Sequence, residues 1–409
     1  MGTQTTTATR AGLVRVFVPL GLVFLAVGVS VALFIPFLAL FLSTEVHAGP
    51  VRVTVFLITG PLAGVVVASL IGRLSDRRPI RRRLMIGAAL IGVVGTALTA
   101  VTRDYWLLLL LQVTAIAVAG SLFPQTFAYA REVLQRDLPE RAAMGITSLR
   151  TVFSIAWVAG PPLGAALVEA GGFRLVYGVA ALTYAVAAAV ATFGLSEVGP
   201  PQGRPPQAGA AQTIAAPGPP PSRATLILVT ATFTALQCPL TLGVQALPLF
   251  IQGELGGQVS DAGLILGLCA ALEIPLLLGM GWLTTRIPVR TIIVGGAACG
   301  VAYFLIATAA GAVWVLLAAQ IVNALFIAAI SGPSISFVQD LMPDQPGRAT
   351  TLFTNTFPIG AMLAGPLLGV AARFDYRWAY AINAALCALG LVLLLMMRTR
   401  RTSPGVTVS

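Results

Sequence analysis

Twelve long apolar runs leave this chain few ways to fold. They cover roughly residues 14–42, 53–74, 84–102, 105–132, 142–168, 174–195, 224–252, 260–284, 290–309, 312–338, 348–371 and 376–397. About 20 apolar residues cross a bilayer as a helix, and within lipid only helices and closed barrels satisfy every backbone polar group. Several runs exceed the bilayer span, which predicts tilted or broken helices. Only 10% of the residues are charged, against about 25% in soluble domains, too few to coat a soluble chain of 409 residues. The first run is too long for a signal-peptide core and reads as an uncleaved span.

Residues 196–223 interrupt the pattern with eight prolines and four glycines. Such a stretch buries no core and reads as a semi-rigid linker. Six runs precede it and six follow. The expected organisation is a six-helix half over 1–195, a cytoplasmic linker over 196–223 and a second six-helix half over 224–409. A parallel internal repeat follows from this layout, and the residues carry it. Ala159-Gly160-Pro161-Pro162-Leu163-Gly164 in span 5 matches Ala364-Gly365-Pro366-Leu367-Leu368-Gly369 in span 11 at an offset of 205. The same offset sets Arg150 opposite Asn355. Trp106 and Trp314 open spans 4 and 10 at an offset of 208, and Pro124 and Pro333 match at 209. The fold class is therefore an all-α integral membrane bundle of twelve helices in two halves.

The net charge of +11 comes entirely from arginine among the bases. With the amino terminus inside, nineteen arginines fall on cytoplasmic segments, and five fall outside: Arg52, Arg103, Arg174, Arg373 and Arg377. Arg150 alone lies within a span. This bias places both termini in the cytoplasm. The basic excess is orientation and lipid-headgroup chemistry rather than a nucleic-acid footprint. Cys238, Cys269, Cys299 and Cys387 all lie in apolar runs without CxxC spacing and read as small core residues. His47, the single histidine, sits in an outside loop beside Glu45, too few ligands for a metal. No cofactor is expected.

After span 2 comes Gly72-Arg73-Leu74-Ser75-Asp76-Arg77-Arg78-Pro79-Ile80-Arg81-Arg82-Arg83. A positive-inside loop needs the arginines but neither the glycine nor the aspartate. The segment resembles the cytoplasmic loop motif of the major facilitator superfamily, G-x-x-x-D-R-x-G-R-K, at Gly72, Asp76 and Arg77, with Pro79 where the second glycine stands. The resemblance implies that Asp76 helps latch the two halves. The echo in the second half, Gly281 to Arg290, has Thr285 at the aspartate's place. Gly160-Pro161-Pro162-Leu163-Gly164 resembles the superfamily's span-5 motif, where glycine lets helices approach and proline permits a kink.

Narrower matches include polar residues inside spans: Pro124-Gln125-Thr126-Phe127-Ala128-Tyr129-Ala130-Arg131-Glu132, Ala156-Trp157-Val158-Ala159-Gly160, Leu272-Glu273-Ile274-Pro275 and Ala349-Thr350-Thr351-Leu352-Phe353-Thr354-Asn355. From about residue 30 to 395 the chain resembles the bacterial sugar efflux transporter family. That resemblance implies a twelve-helix bundle and export of sugars such as lactose, glucose and their glycosides, driven by proton entry.

Glu273 lies in the middle of the apolar run 262–282, where a carboxylate costs several kcal/mol unless it is paired, protonated or facing water. Three roles stay open for it: carrier of the coupling proton, acceptor for a sugar hydroxyl, or structural partner of a neighbouring helix. Arg150 either snorkels to the cytoplasmic surface or faces a central cavity, there holding a ligand or a carboxylate. Gln125, Gln237, Gln245, Gln320, Asn323 and Asn355 supply neutral amides, each both donor and acceptor. By analogy with the superfamily, spans 1, 4, 7 and 10 line the cavity. Any one amide is more often glue between helices, and it is the set, spread across the proposed lining helices, that points to a site. Trp157 and Tyr129 either stack on a sugar face or pack the core. The expected site is thus Glu273 and Arg150 for proton coupling, with Gln125, Gln245, Asn323, Asn355 and Trp157 for substrate.

An enzyme would need a convergent set of catalytic groups, and the chain offers one histidine, no GxSxG and no phosphate loop. A receptor would not need paired gating halves. The rival is a multidrug/proton antiporter of the same superfamily, whose site would hold more aromatic and methionine side chains and fewer amides. The expectation is a monomeric exporter of sugars or glycosides in the cytoplasmic membrane.

Overall fold

A computed structural model describes residues 10–137, 142–197, 223–342 and 345–397. Residues 198–222 of the predicted linker, and Arg141, Arg204, Arg398, Arg400 and Arg401, lie outside the described residues. The described residues contain no strand. Ten apolar helices run singly: α1 (Phe17–Thr44), α2 (Pro50–Arg77), α3 (Arg81–Val101), α4 (Tyr105–Asp137), α7 (Arg223–Glu254), α8 (Val259–Leu283), α9 (Val289–Ala309), α10 (Val313–Leu341), α11 (Gly347–Ala371) and α12 (Arg377–Met396). The eleventh helical stretch, Met144–Phe193, breaks at Gly171-Gly172 into α5 (144–170) and α6 (173–193). Gly172 has φ +69°, a left-handed turn open to glycine at little cost. The twelve helices form the expected bundle.

Short loops with helix caps set the boundaries. Pro50 opens α2 after Gly49, where a missing N–H costs nothing. The Asp104 side chain accepts from Leu107 N at 2.8 Å to start α4. Gln258 and Asp261 form a capping box for α8. The long runs are broken as well as tilted. In α1 a 3-10 turn over Ile35–Phe37 surrounds Pro36. In α4 a π segment spans Gln112–Ile116. In α10 the helix stops at Ser331 and restarts at Ser334, around Pro333.

Small residues decide where the halves meet. On α8, a Cβ at Gly267 would stand 2.7 Å from the Val158 carbonyl oxygen, and one at Gly263 would stand 2.7 Å from that of Pro161 on α5. On the other side, a Cβ at Gly365 of α11 would stand 3.0 Å from Leu57 Cβ and 3.2 Å from the Thr54 carbonyl oxygen of α2, and one at Gly369 would press on Thr54 Oγ1; Thr54 Oγ1 donates to Gly365 O at 3.3 Å. Ser260 N donates to Glu169 Oε1 at 2.8 Å. All these contacts lie toward one end of the bundle, which we call the far end. The opposite end carries the arginine-rich loop after α2. Trp106, Trp314 and Trp378 are all exposed at the far-end starts of α4, α10 and α12, the position of an interfacial aromatic belt.

Candidate functional site

Between the halves, on the arginine-rich side of that contact, lies a cavity of about 820 Å³. Its walls differ. The N-terminal half contributes Phe123, Phe127, Phe153 and Trp157, with Phe123 ring centroids 4.9 Å from Phe127 and 4.5 Å from Phe153. The C-terminal half contributes Gln237, Thr241 and Gln245 from α7 and Glu273 from α8. Spans 1, 4, 7 and 10 take part as expected, but α5, α8 and α11 line the cavity too, and α5 and α8 bring its charges.

Glu273 and Arg150 face this cavity from opposite halves. At 1.5 Å rise per residue, Glu273 stands about 21 Å from the far-end start of α8, near mid-membrane. Arg150 is exposed, on the α5 face it shares with Phe153, Ser154 and Trp157. The structure therefore places it on the cavity. No ion pair within 4 Å joins it to Glu273. The two charges are left free to act on a ligand or on each other.

A side chamber of about 190 Å³ opens beside Glu273 and Trp157, within the C-terminal half. Asn323 lies on its wall. Its Nδ2 donates to Gln320 Oε1 at 3.0 Å and to Cys269 Sγ at 3.3 Å. Gln320 Nε2 donates in turn to Tyr303 Oη at 3.2 Å.

Two expected substrate residues lie off the cavity, and a third lines it with its amide already engaged. Gln125 is buried, does not line the cavity, and accepts from Arg81 Nη1 at 3.1 Å; the nearest strong donor takes its oxygen. Asn355 is exposed but off the cavity lining, which α11 supplies through Phe353, Thr354 and Phe357. Residues 353, 354 and 357 share one helical face, and residue 355 points elsewhere. Gln245 does line the cavity, but both ends of its amide are engaged. It donates to Ile35 O at 3.0 Å and accepts from Ala39 N at 3.2 Å. The amide is inserted between the carbonyl and the N–H that an unbroken α1 would pair with each other. Tyr129 is likewise a packing residue, donating to Ser196 O at 2.7 Å.

The loop motif also has a different partner from the one expected. Asp76 Oδ1 lies 2.9 Å from Arg81 Nη2, which is 3.0 Å from Glu132 Oε1. Every member of this cluster belongs to the N-terminal half. Arg77 is exposed, and nothing lies within 4 Å of a Cβ placed on Gly72. In sequence Arg81 is one arginine in a run of three, with nothing to single it out. Its place at the start of α3, facing α4, is a tertiary fact. Gln237 is, in sequence, one amide among six.

The Major Facilitator Superfamily profile matches residues 20–244 and 228–408. The chain is 34% identical to sugar efflux transporter A of Dickeya chrysanthemi, over 88% of this chain and 90% of that protein. It is 34% identical to sugar efflux transporter B of Salmonella typhimurium, over 86% and 87%. Among solved structures, it resembles the nucleoside transporter NupG with a TM-score of 0.71, 14% identity and coverage of 93% and 98%. A bacterial homologue of the lysosomal transporter Spinster, inward-facing and occupied, gives a TM-score of 0.72, 13% identity and coverage of 96% and 97%.

Proposed function

Because the chain belongs to the Major Facilitator Superfamily and, within it, to the bacterial sugar efflux transporters, we propose that it exports small sugars or glycosides across the cytoplasmic membrane in exchange for protons, by alternating access. The observation that carries this reading is the pair Glu273 and Arg150, facing one cavity from opposite halves with no ion pair closed between them. The arginine bias supports a cytoplasmic arginine-rich end, which sets the cavity on the cytoplasmic side of the glycine contacts. A charged Glu273 is drawn across the cleft to Arg150; a protonated one is not. The proton on Glu273 thereby changes how strongly the halves attract, which is what coupling needs. The working unit is a monomer in lipid, with substrate and proton as its partners.

One observation favours the multidrug reading: the four aromatic side chains on one wall suit an apolar ligand better than the composition suggested. Counterflow of labelled glucose, lactose and a cationic drug in proteoliposomes separates the two. We expect sugar counterflow, and drug counterflow alone would reverse the assignment. In the same vesicles, Glu273→Gln should abolish pH-gradient-driven export while exchange without a gradient survives. Wild-type gradient-driven flux in that variant would remove Glu273 from the mechanism.

A further inference from the structure

The amides that the sequence singled out are mostly committed. Gln125 is held by Arg81. Gln245 is bound at both ends to α1. Gln320 and Asn323 bond to each other, and Gln320 also to Tyr303. Asn355 lies off the cavity lining. Gln237 differs from all of them. It lines the cavity, it is only 2% exposed, and neither its Nε2 nor its Oε1 has a hydrogen-bond partner among the described residues.

An amide in that condition is costly, because a buried donor or acceptor without a partner forfeits its hydration for nothing. Gln245 shows that the same helix face readily satisfies a glutamine eight residues on. Gln237 sits fourteen residues along α7 from Arg223, about 21 Å into the membrane by helical rise, at the depth of the cavity and one turn from Thr241, which also lines it. Its surroundings are held close. A Cβ at Gly360 of α11 would stand 3.2 Å from the Gln237 carbonyl carbon. The backbone is therefore fixed while the head group is unengaged.

We propose that Gln237 reads the hydroxyl groups of the substrate, its amide N–H donating to one hydroxyl and its carbonyl oxygen accepting from the neighbouring one. A donor and an acceptor on one rigid plane match two adjacent hydroxyls, and the aromatic wall opposite takes the apolar face of the same ring. A site built to pair a hydroxyl rejects the analogue that lacks it, because the protein's own group is then left unpaired. This deepens the sugar-transport reading and rests on it.

The test uses Gln237→Leu in the full-length protein, with two measurements. The first is the melting temperature of the empty protein in detergent. The variant should melt at or above wild type, since it removes an amide desolvated without a partner; a lower melting temperature would mean the amide is structural glue and would overturn the proposal. The second is binding of D-glucose and each of its mono-deoxy analogues. Wild type should prefer glucose over at least one analogue by about tenfold or more, and the variant should lose that preference. Discrimination unchanged in the variant would also overturn it. If wild type binds none of these sugars, the sugar reading falls, together with the ligand assigned to Gln237. The melting comparison would still decide by itself whether the amide is free.

Discussion

Asn355 and Thr354 are neighbours in sequence, yet only Thr354 lines the cavity. The difference is measurable. Thr354→Val removes one hydroxyl from the lining and should weaken sugar binding by roughly three- to tenfold, the usual worth of one polar pair. Asn355→Ala should change it by less than about twofold. Titration of labelled sugar binding in detergent measures both, and the reverse order would mean that α11 is rotated in the bound protein. The sequence identifies the right helix and misses the residue for a physical reason. The offset of 205 aligns the glycine motifs, whereas the lining pairs Arg150 with Thr354 and Phe153 with Phe357 at 204. In a membrane bundle both the lipid face and the packed face are apolar, so periodicity marks a helix well and its rotation poorly. Glu273 and Arg150 are legible because a charge inside a span is too costly to keep without a polar partner, a proton or water beside it. The engagement of Gln125 and Gln245 is not, because their partners lie 44 and more than 200 residues away.

At the scale of the element, the break in α1 is the informative feature. Pro36 lacks an N–H and disturbs the ladder, and the amide of Gln245 from the opposite half fills the gap between Ile35 and Ala39. The apolar run and its proline announce a bent helix, but nothing local announces the glutamine that splices it. If this splice holds the far end shut, Gln245→Leu should weaken that closure by about 1–2 kcal/mol, the worth of its two hydrogen bonds. A cysteine at Ser43, which borders a small hollow on the far side, should then label faster from outside in cells. An unchanged labelling rate would make the splice a local repair of α1 only. The glycine contacts of α8 with α5, and of α11 with α2, are half legible: the motifs show that close approach is coming, and the fold shows which helices make it.

For the whole molecule, the two ends of the bundle are built differently. At the far end Gly263 and Gly267 lie against α5, and Gly365 and Gly369 against α2. Toward the arginine-rich end the cavity lies between the halves, and Asp76 is turned back onto Arg81 within its own half. We propose that the latch implied by Gly72, Asp76 and Arg77 forms only in a state closed at this end. Asp76→Asn should shift the population toward the state seen here, raising cytoplasmic labelling of a cysteine placed at Ser154 on the cavity wall; equal labelling would make Asp76 a solvated loop acid. The arginines add a consequence of their own. Arg73, Arg77 and Arg78 are exposed on one half, and Arg286 and Arg348 on the other. Closing this end brings like charges together, and Asp76 is one of the few acids there to offset them. Such repulsion between exposed groups is governed by the surrounding electrolyte, whose screening length shrinks from about 30 Å at 0.01 M to about 3 Å at 1 M. Added salt should therefore favour closure at the arginine-rich end, leave the uncharged glycine contacts untouched, and shrink the difference between wild type and Asp76→Asn. Ionic strength should then act as a lever on one face of the molecule only, and the resting state should shift with the salt in which the protein is prepared.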